Sequence, residues 1–247
     1  MFRAFPMVNR PMQRRSFLSS VAALTALGLT PPLRAETVSG ELPWKPGTQD
    51  LPVPVKKGGL AFFTEQEAAT MGAIAERMIP ADELSIGAKE AGCVTFIDRQ
   101  LAGDFGKAAT QYRAGPIVPG TPEQGPQEIQ TPAERYRTGL ASLDKHCQTT
   151  LGKAFIDLTE DQQDQVITEL ETGKVRVEKS TPQALFALML MNVREGFLSD
   201  PMYGGNKGMA GWKMIGFPGA RYDFRDVVDK RGQKLNIIPT SMIDNSL

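Results

Sequence analysis

Three threonines of this chain stand just ahead of apolar runs and are each followed, three residues later, by Glu or Gln. In this pattern the threonine hydroxyl and the Glu or Gln side chain each satisfy a backbone N–H group that the first helical turn leaves without a partner. The pattern therefore predicts three helix starts and favours a fold built from helices. The three pairs are Thr64 with Glu67, Thr131 with Glu134, and Thr159 with Gln162.

Apolar residues along the chain repeat at helical spacing, which places each set of them on one face of a helix. The first predicted helix ends at Pro80, and its apolar stripe is Met71, Ile74, Ala75, Met78 and Ile79. Further stripes are Val94, Ile97 and Leu101 before Gly103; Tyr136, Leu140, Leu143 and Cys147; and Val166, Ile167 and Leu170 before Gly173.

Residues 181–198 are apolar on nearly every side of a helix. A helix of that kind lies in the centre of a bundle or beneath a partner protein. No segment shows the alternation of apolar and polar residues that a half-buried strand requires. The sequence therefore predicts an all-α fold. We expect a small irregular helical bundle that forms a single domain over residues 60–247 and becomes irregular from about residue 200.

The N-terminal residues read as an export signal. Arg14 and Arg15 are followed by Phe17 and Leu18, and then by an uncharged, moderately apolar stretch that ends at small residues. This arrangement is typical of a twin-arginine (Tat) signal peptide over residues 1–35. The alternative is an ordinary Sec signal that contains two arginines. The apolar stretch is too short to cross a membrane.

Residues 36–59 are rich in Pro, Gly and polar side chains, and include Trp44 in the run Leu-Pro-Trp-Lys-Pro. Prolines fix the backbone and interrupt helices and strands. We therefore expect an extended arm here, either loosely tethered or laid on the surface of a partner.

The charge balance argues against nucleic acid as a partner. The whole chain carries 28 basic and 28 acidic residues, and residues 1–35 hold five of the arginines and no acid. The mature chain therefore has 23 basic and 28 acidic residues, a net charge of −5. Nucleic-acid binding requires clustered Lys and Arg. No run after the signal is long and apolar enough to be a transmembrane segment.

The chain lacks the residues that most enzymes and cofactor sites need. His146 is its one histidine, and it stands beside Cys147, which a helix would turn to a different face. We interpret His146 as a surface or cap-region residue. The motifs for c-type haem, di-iron centres and dinucleotide binding are absent, and zinc would need carboxylate ligands in addition. The sequence predicts no catalytic residue, metal or cofactor in this chain.

A segment rich in glycine and large apolar residues follows the predicted central helix. Residues 203–219 contain six glycines, with Tyr203, Trp212 and Phe217 among the apolar groups between them. Two interpretations stay open: the segment forms a lid on the core, or its side chains anchor a protein interface, where Trp, Tyr and Met are enriched. A phosphate-binding loop is a remote third, because no Lys-Ser/Thr pair follows the glycines.

Two cysteines occur in the chain, Cys93 and Cys147. In an oxidising compartment they could form a disulfide with each other. They could equally stay buried as small apolar residues, or one of them could bridge to a partner chain.

Several stretches resemble the gluconate 2-dehydrogenase subunit 3 family. They are the Tat signal, the helix start Phe62-Phe63-Thr64, residues 77–82 and 96–101, and residues 196–220 around Tyr-Gly-Gly-Asn and Gly-Trp. The resemblance covers nearly all of the mature chain. Its most specific parts are the C-terminal glycine-aromatic segment and the Ile-Pro-Ala-Asp sequence after the first predicted helix.

The resemblance implies an accessory role for this chain. Members of that family are small, non-catalytic subunits of membrane-associated sugar and polyol dehydrogenases. The implied partners are a large GMC-type subunit that contains FAD and, commonly, a multihaem cytochrome c subunit that passes electrons to quinone. The small subunit supports maturation of the flavoprotein and carries it through the Tat translocase as a hitchhiker. The complex then resides in the periplasm and is associated with the membrane through the partner subunits.

On this resemblance we expect the glycine-aromatic segment and the arm to pack on the large subunit. The residues expected there are Tyr203, Gly204, Gly205, Asn206, Trp212 and Phe217, together with Trp44. Two other classes of function stay open. One is a free-standing periplasmic enzyme that uses carboxylates and His146, and the other is a small-ligand binding protein that uses the aromatic-glycine loop.

Overall fold

The computed structural model describes residues 54–55, 58–111, 129–221, 223–233 and 237–243, and the single residues 113, 115, 118, 120, 121, 124 and 235. The α-helices of this part are α1 Glu65–Met78, α2 Cys93–Ala102, α3 Pro132–Leu151, α4 Glu160–Glu171, α5 Pro182–Leu198 and α6 Ala210–Ile215. Short 3₁₀ turns lie at Phe155–Asp157, Pro201–Tyr203, Lys207–Met209 and Arg225–Val227. The described residues contain no strand, only a parallel bridge between Gly219 and Thr240. The all-α prediction is confirmed.

The described residues all belong to one compact unit, Trp44–Leu247. No described helix combines the length and the hydrophobicity that crossing a membrane requires. The predicted signal residues and Trp44 lie outside the described residues, so the predictions made for them stay predictions.

The three predicted capping boxes all form. At the start of α1 the Glu67 N–H donates to the Thr64 hydroxyl over 3.2 Å, and the Thr64 N–H donates to the Glu67 carboxylate over 2.8 Å. The equivalent Thr–Glu and Thr–Gln pairs make the same reciprocal bonds at the starts of α3 and α4. Because each box satisfies two backbone N–H groups locally, these helix starts could be read from the sequence.

Helix α5 lies at the centre of the bundle, as its nearly continuous apolar sequence predicts. It packs against α1, α2, α3, α4 and α6. Leu185, Met189 and Val193 on this helix have no exposed surface. Gly139 on α3 makes room for Leu185, since a Cβ atom there would lie 2.6 Å from the leucine methyl groups. Full burial of a side chain of this size contributes about 1.5–3 kcal/mol.

A chain of polar groups crosses the core between α3 and α5. The buried Tyr136 hydroxyl donates to Asn192 Oδ1 over 3.0 Å, and the Asn192 amide donates to Glu195 Oε2 over 2.9 Å. Burial raises the pKa of Tyr136 well above its ordinary value, so the hydroxyl stays a donor. A buried polar group without a partner costs about 1–3 kcal/mol, so these bonds favour one register of α5 against α3.

A buried carboxylate fastens the residues ahead of α1 to α2. Asp98 is 1% exposed and accepts hydrogen bonds from the backbone N–H groups of residues 61–63 at 2.8, 2.9 and 2.8 Å. Its neighbour Arg99 donates to Asp98 over 2.7 Å and to the Gly59 carbonyl oxygen over 2.8 Å. The last residues of the predicted arm are therefore held against α2.

Candidate partner-binding surface

The glycine-aromatic segment packs as a lid on the ends of α2 and α5, and we call residues 199–219 the C-terminal cap. A Cβ atom at Gly205 would lie 2.2 Å from the carbonyl oxygen of Gly196 in α5, and one at Gly92, just ahead of α2, would lie 2.6 Å from that of Gly204. Only glycine permits such close approach of two backbones. Gly205, which was expected at a partner interface, is buried and serves this internal packing instead.

Asn206 and Trp212 were also expected at a partner interface, and both are buried inside the fold of this chain. Asn206 donates its amide to the Ser199 carbonyl oxygen over 2.8 Å and accepts from the Gly211 N–H over 2.9 Å. Trp212 is 5% exposed, and its indole N–H donates to the Leu198 carbonyl oxygen over 2.6 Å. Both side chains hold the cap on α5, and their expected contact with a partner stays a prediction.

Five large apolar side chains on the cap and at the end of α5 remain exposed. Trp212 contacts two of these residues: its indole N–H donates to the Leu198 carbonyl oxygen, and the Phe217 ring packs edge-on against it with 5.2 Å between the ring centroids. Tyr203 lines a groove together with Leu198, and Met214 and Ile215 follow Trp212 in α6. Contiguous exposed apolar side chains are typical of interaction sites. We call this group the apolar ridge, and its members, which are 38–56% exposed, are Leu198, Tyr203, Met214, Ile215 and Phe217.

The ridge agrees only in part with the sequence-based choice of interface residues. Tyr203 and Phe217 are exposed, as a partner contact requires, and Gly204 is half-buried beside Thr95 and Val55. Leu198, Met214 and Ile215 were not singled out. Their apolar character was visible in the sequence. Whether each of these side chains is exposed, however, depends on how the cap folds over α5.

An open groove of about 560 Å³ lies beside Tyr203, between α2 and the end of α5. Phe96, Phe105 and Leu198 contribute apolar surface to it, and Glu195 contributes a carboxylate. The groove therefore continues the apolar ridge across the end of the bundle.

The predicted arm meets the domain at this same end. The Val55 N–H donates to the Met202 carbonyl oxygen over 2.8 Å, one residue before Tyr203. Val55 therefore lies beside the residue that precedes Tyr203 of the apolar ridge. Trp44 lies outside the described residues, so its expected contact with a partner stays a prediction.

Cys93 and Cys147 are both free and both fully buried. Cys93 begins α2 beside Gly196 of α5, whereas Cys147 lies on α3, the helix that His146 ties to α4. Desolvation raises the pKa of Cys93 to about 12 and that of Cys147 to about 11. Of the three alternatives, the structure favours buried apolar thiols. The disulfide between them is not formed, and a thiol without exposed surface reaches no partner chain unless the fold opens.

His146 joins two helices. Its Nε2 atom lies 3.0 Å from Glu169 Oε2 on α4, and hydrogen bonds from Gln165 and His146 lower the pKa of Glu169. One turn before His146, the Ser142 hydroxyl donates to the Thr138 carbonyl oxygen over 2.7 Å, so this hydroxyl is not activated as a nucleophile. Within the part of the chain that the structure describes, no three His, Cys, Asp or Glu side chains are grouped to hold a metal ion.

A family model described as gluconate 2-dehydrogenase subunit 3 matches residues 65–219. That range covers more than half of the 247 residues. This chain belongs to the gluconate 2-dehydrogenase subunit 3 family. The resemblance found in the sequence is thereby confirmed. No curated protein and no solved structure matches the chain.

The portion shared with the gluconate 2-dehydrogenase subunit 3 family contains the site described above. It begins at the first residue of α1 and ends at Gly219, where the chain forms its bridge to Thr240. It therefore includes the whole apolar ridge. The family description identifies the chain as a subunit of a dehydrogenase complex.

Proposed function

We propose that this chain is the non-catalytic small subunit of a periplasmic FAD-dependent dehydrogenase complex that acts on a sugar or polyol. The observation that carries this proposal is the family match over residues 65–219. On this proposal the FAD lies in a large GMC-type subunit, and a multihaem cytochrome c subunit serves as the electron acceptor where the complex contains one. The small chain itself holds neither cofactor.

The geometry of the described residues supports a binding role. The apolar ridge stands on side chains that are already fixed by internal hydrogen bonds, those of Asn206 and Trp212. A surface held in this way loses little conformational entropy when a partner covers it. By contrast, His146, which a free-standing enzyme would use, joins α3 to α4 through Glu169.

The predicted N-terminal signal is the reason for proposing a role in export. A flavoprotein that binds FAD in the cytoplasm must cross the membrane already folded, and the Tat translocase carries folded proteins. If the large subunit has no signal of its own, it can travel bound to this chain. We therefore propose that the chain also supports maturation of the flavoprotein and carries it to the periplasm, where partner subunits hold the complex at the membrane.

Replacing the arginine pair tests the export role. In the double variant Arg14→Lys/Arg15→Lys the signal keeps its positive charge but loses the twin-arginine signature. We expect dehydrogenase activity and the large subunit to disappear from the periplasmic fraction and to remain in the cytoplasm. The matched control is Arg10→Lys, which leaves the pair intact. Normal periplasmic levels of the large subunit in the double variant would refute the export role.

A further inference from the structure

We propose that the apolar ridge is the docking surface for the large flavoprotein subunit, and that the surface which meets it is apolar with acidic groups along its border. This inference rests on the proposed function. The inference goes beyond that function in two respects. It identifies the face of the small chain that binds the partner, and it states the charge of the partner's surface.

The charge of the cap indicates the charge of its partner. The cap contains two lysines, Lys207 and Lys213, and one acid, Asp200, whose carboxylate is already bound by Ser241 and Met242. Both lysines are exposed. In α6, Lys213 lies between the buried Trp212 and Met214, which belongs to the apolar ridge. The predicted mature chain as a whole carries a net charge of −5. A positive patch on an acidic protein favours a partner with complementary negative charge.

The same charges argue against a second copy of this chain as the occupant. A symmetric dimer would place the same patch on both sides of the interface. Such a dimer would bring four lysines to one interface, and the one acid of the cap, Asp200, already binds Ser241 and Met242; like charges without a compensating acid are unfavourable at an interface. A different protein with an acidic border avoids this repulsion.

The ridge is held in place from two directions, so it is formed before a partner arrives. From the core side, Trp212 binds the end of α5 and carries the Phe217 ring. From the C-terminal side, the Asp200 carboxylate accepts from the Ser241 hydroxyl over 2.6 Å and from the Met242 N–H over 2.8 Å. Such preorganisation is what a stable interface requires of its central apolar residues.

The experiment is co-production of the tagged full chain with the large subunit of its own host. The partner is identified by flavin absorbance and by mass spectrometry of the co-purifying chain. In the double variant Ile215→Glu/Phe217→Glu, two exposed apolar groups become acidic while the buried side chains stay unchanged. We expect the affinity for the flavoprotein to fall about tenfold or more.

The matched control introduces the same charges on exposed apolar residues outside the cap and the apolar ridge. Leu84, in the loop after α1, is 76% exposed, and Ile156, in the turn between α3 and α4, is 42% exposed. We expect the double variant Leu84→Glu/Ile156→Glu to retain the flavoprotein at the wild-type level. Loss of binding in this control to the same extent as in the ridge variant would overturn the proposal.

A charge reversal keeps the proposal testable should the ridge variant fail to fold. Lys213→Glu changes an exposed side chain, and we expect it to weaken binding, whereas Lys213→Arg should retain it. Binding unaffected by Lys213→Glu, or wild-type recovery by a folded Ile215→Glu/Phe217→Glu variant, would overturn the docking surface alone. A wild-type chain that retains no flavoprotein would overturn both the docking surface and the proposed function.

Discussion

Replacing Asp98 by alanine removes the carboxylate that holds the entry to α1 against α2. Three consecutive backbone N–H groups, those of residues 61–63, donate to this side chain, and Arg99 is its ion-pair partner. An alanine side chain has no acceptor, so all three N–H groups lose this partner together. The variant should therefore destabilise the fold more than an ordinary surface substitution does.

The expected loss follows from the burial of the three donors. The Phe63 N–H is buried, and leaving it without an acceptor costs about 1–3 kcal/mol. The N–H groups of Ala61 and Phe62 are partly buried and can regain water, so each loss is about 0.5 kcal/mol. We therefore expect the free energy of unfolding to fall by about 3 kcal/mol. For a chain of this size that lowers Tm by about 6–12 °C.

Thermal unfolding followed by far-UV circular dichroism measures this change. Asp82→Ala is the matched control, because the Asp82 carboxylate also accepts from two backbone N–H groups, those of Leu84 and Ser85, but in an exposed loop. We expect the control to lose at most about 1 kcal/mol. Equal decreases in Tm for the two variants would refute the reasoning, because burial would then not decide the effect.

Three further predictions follow from buried side chains. Trp212→Ala should lower the free energy of unfolding, measured by chemical denaturation, by about 3–5 kcal/mol, because this side chain is buried. Phe217→Ala should lower it by at most about 1 kcal/mol, because the Phe217 side chain is exposed. Equal losses in the two variants would contradict this prediction. Cys93 and Cys147 should react with a thiol reagent only after denaturation, and rapid reaction of the native protein would show that one of them is accessible. Because burial raises the pKa of both thiols, the folded state favours their protonated forms. This contribution to stability is complete below the ordinary thiol pKa of about 8.5 and is lost as the pH rises toward the folded-state values. Urea midpoints should therefore decline above that pH in the wild type, and less in Cys93→Ala.

The helices could be predicted because their signals are local. A threonine and the Glu or Gln three residues later form their hydrogen bonds within one turn, whatever surrounds them, and α1, α3 and α4 begin where these pairs stand. The central position of α5 was also predictable, because a helix that is apolar all round has no face to turn to water.

The cap could not be predicted in the same way. Whether Trp212 faces a partner or the core depends on an acceptor, the Leu198 carbonyl oxygen, that only the packing of the cap on α5 brings within reach. Its glycines permit both a displayed loop and a closely packed lid. The sequence alone therefore left both interpretations open. The contacts show that the segment packs as a lid, and its role as an interface is a proposal that rests on the side chains it leaves exposed.

The position of Asp98 in the sequence did indicate that its carboxylate is buried. It stands on the apolar stripe of α2, four residues after Val94 and three before Leu101, where helical spacing places it on the same face. A carboxylate on the buried face of a helix requires partners. The pattern could have indicated a buried acceptor, but which N–H groups it binds depends on the path of the chain ahead of α1.

The central claim is that this chain binds and accompanies a flavoprotein. The most direct test is to tag its C-terminus, purify it from the periplasm of its own host, and record the absorbance spectrum and the co-purifying chains. The proposed function predicts flavin absorption bands together with a larger, stoichiometric partner. A colourless chain that purifies alone would contradict it.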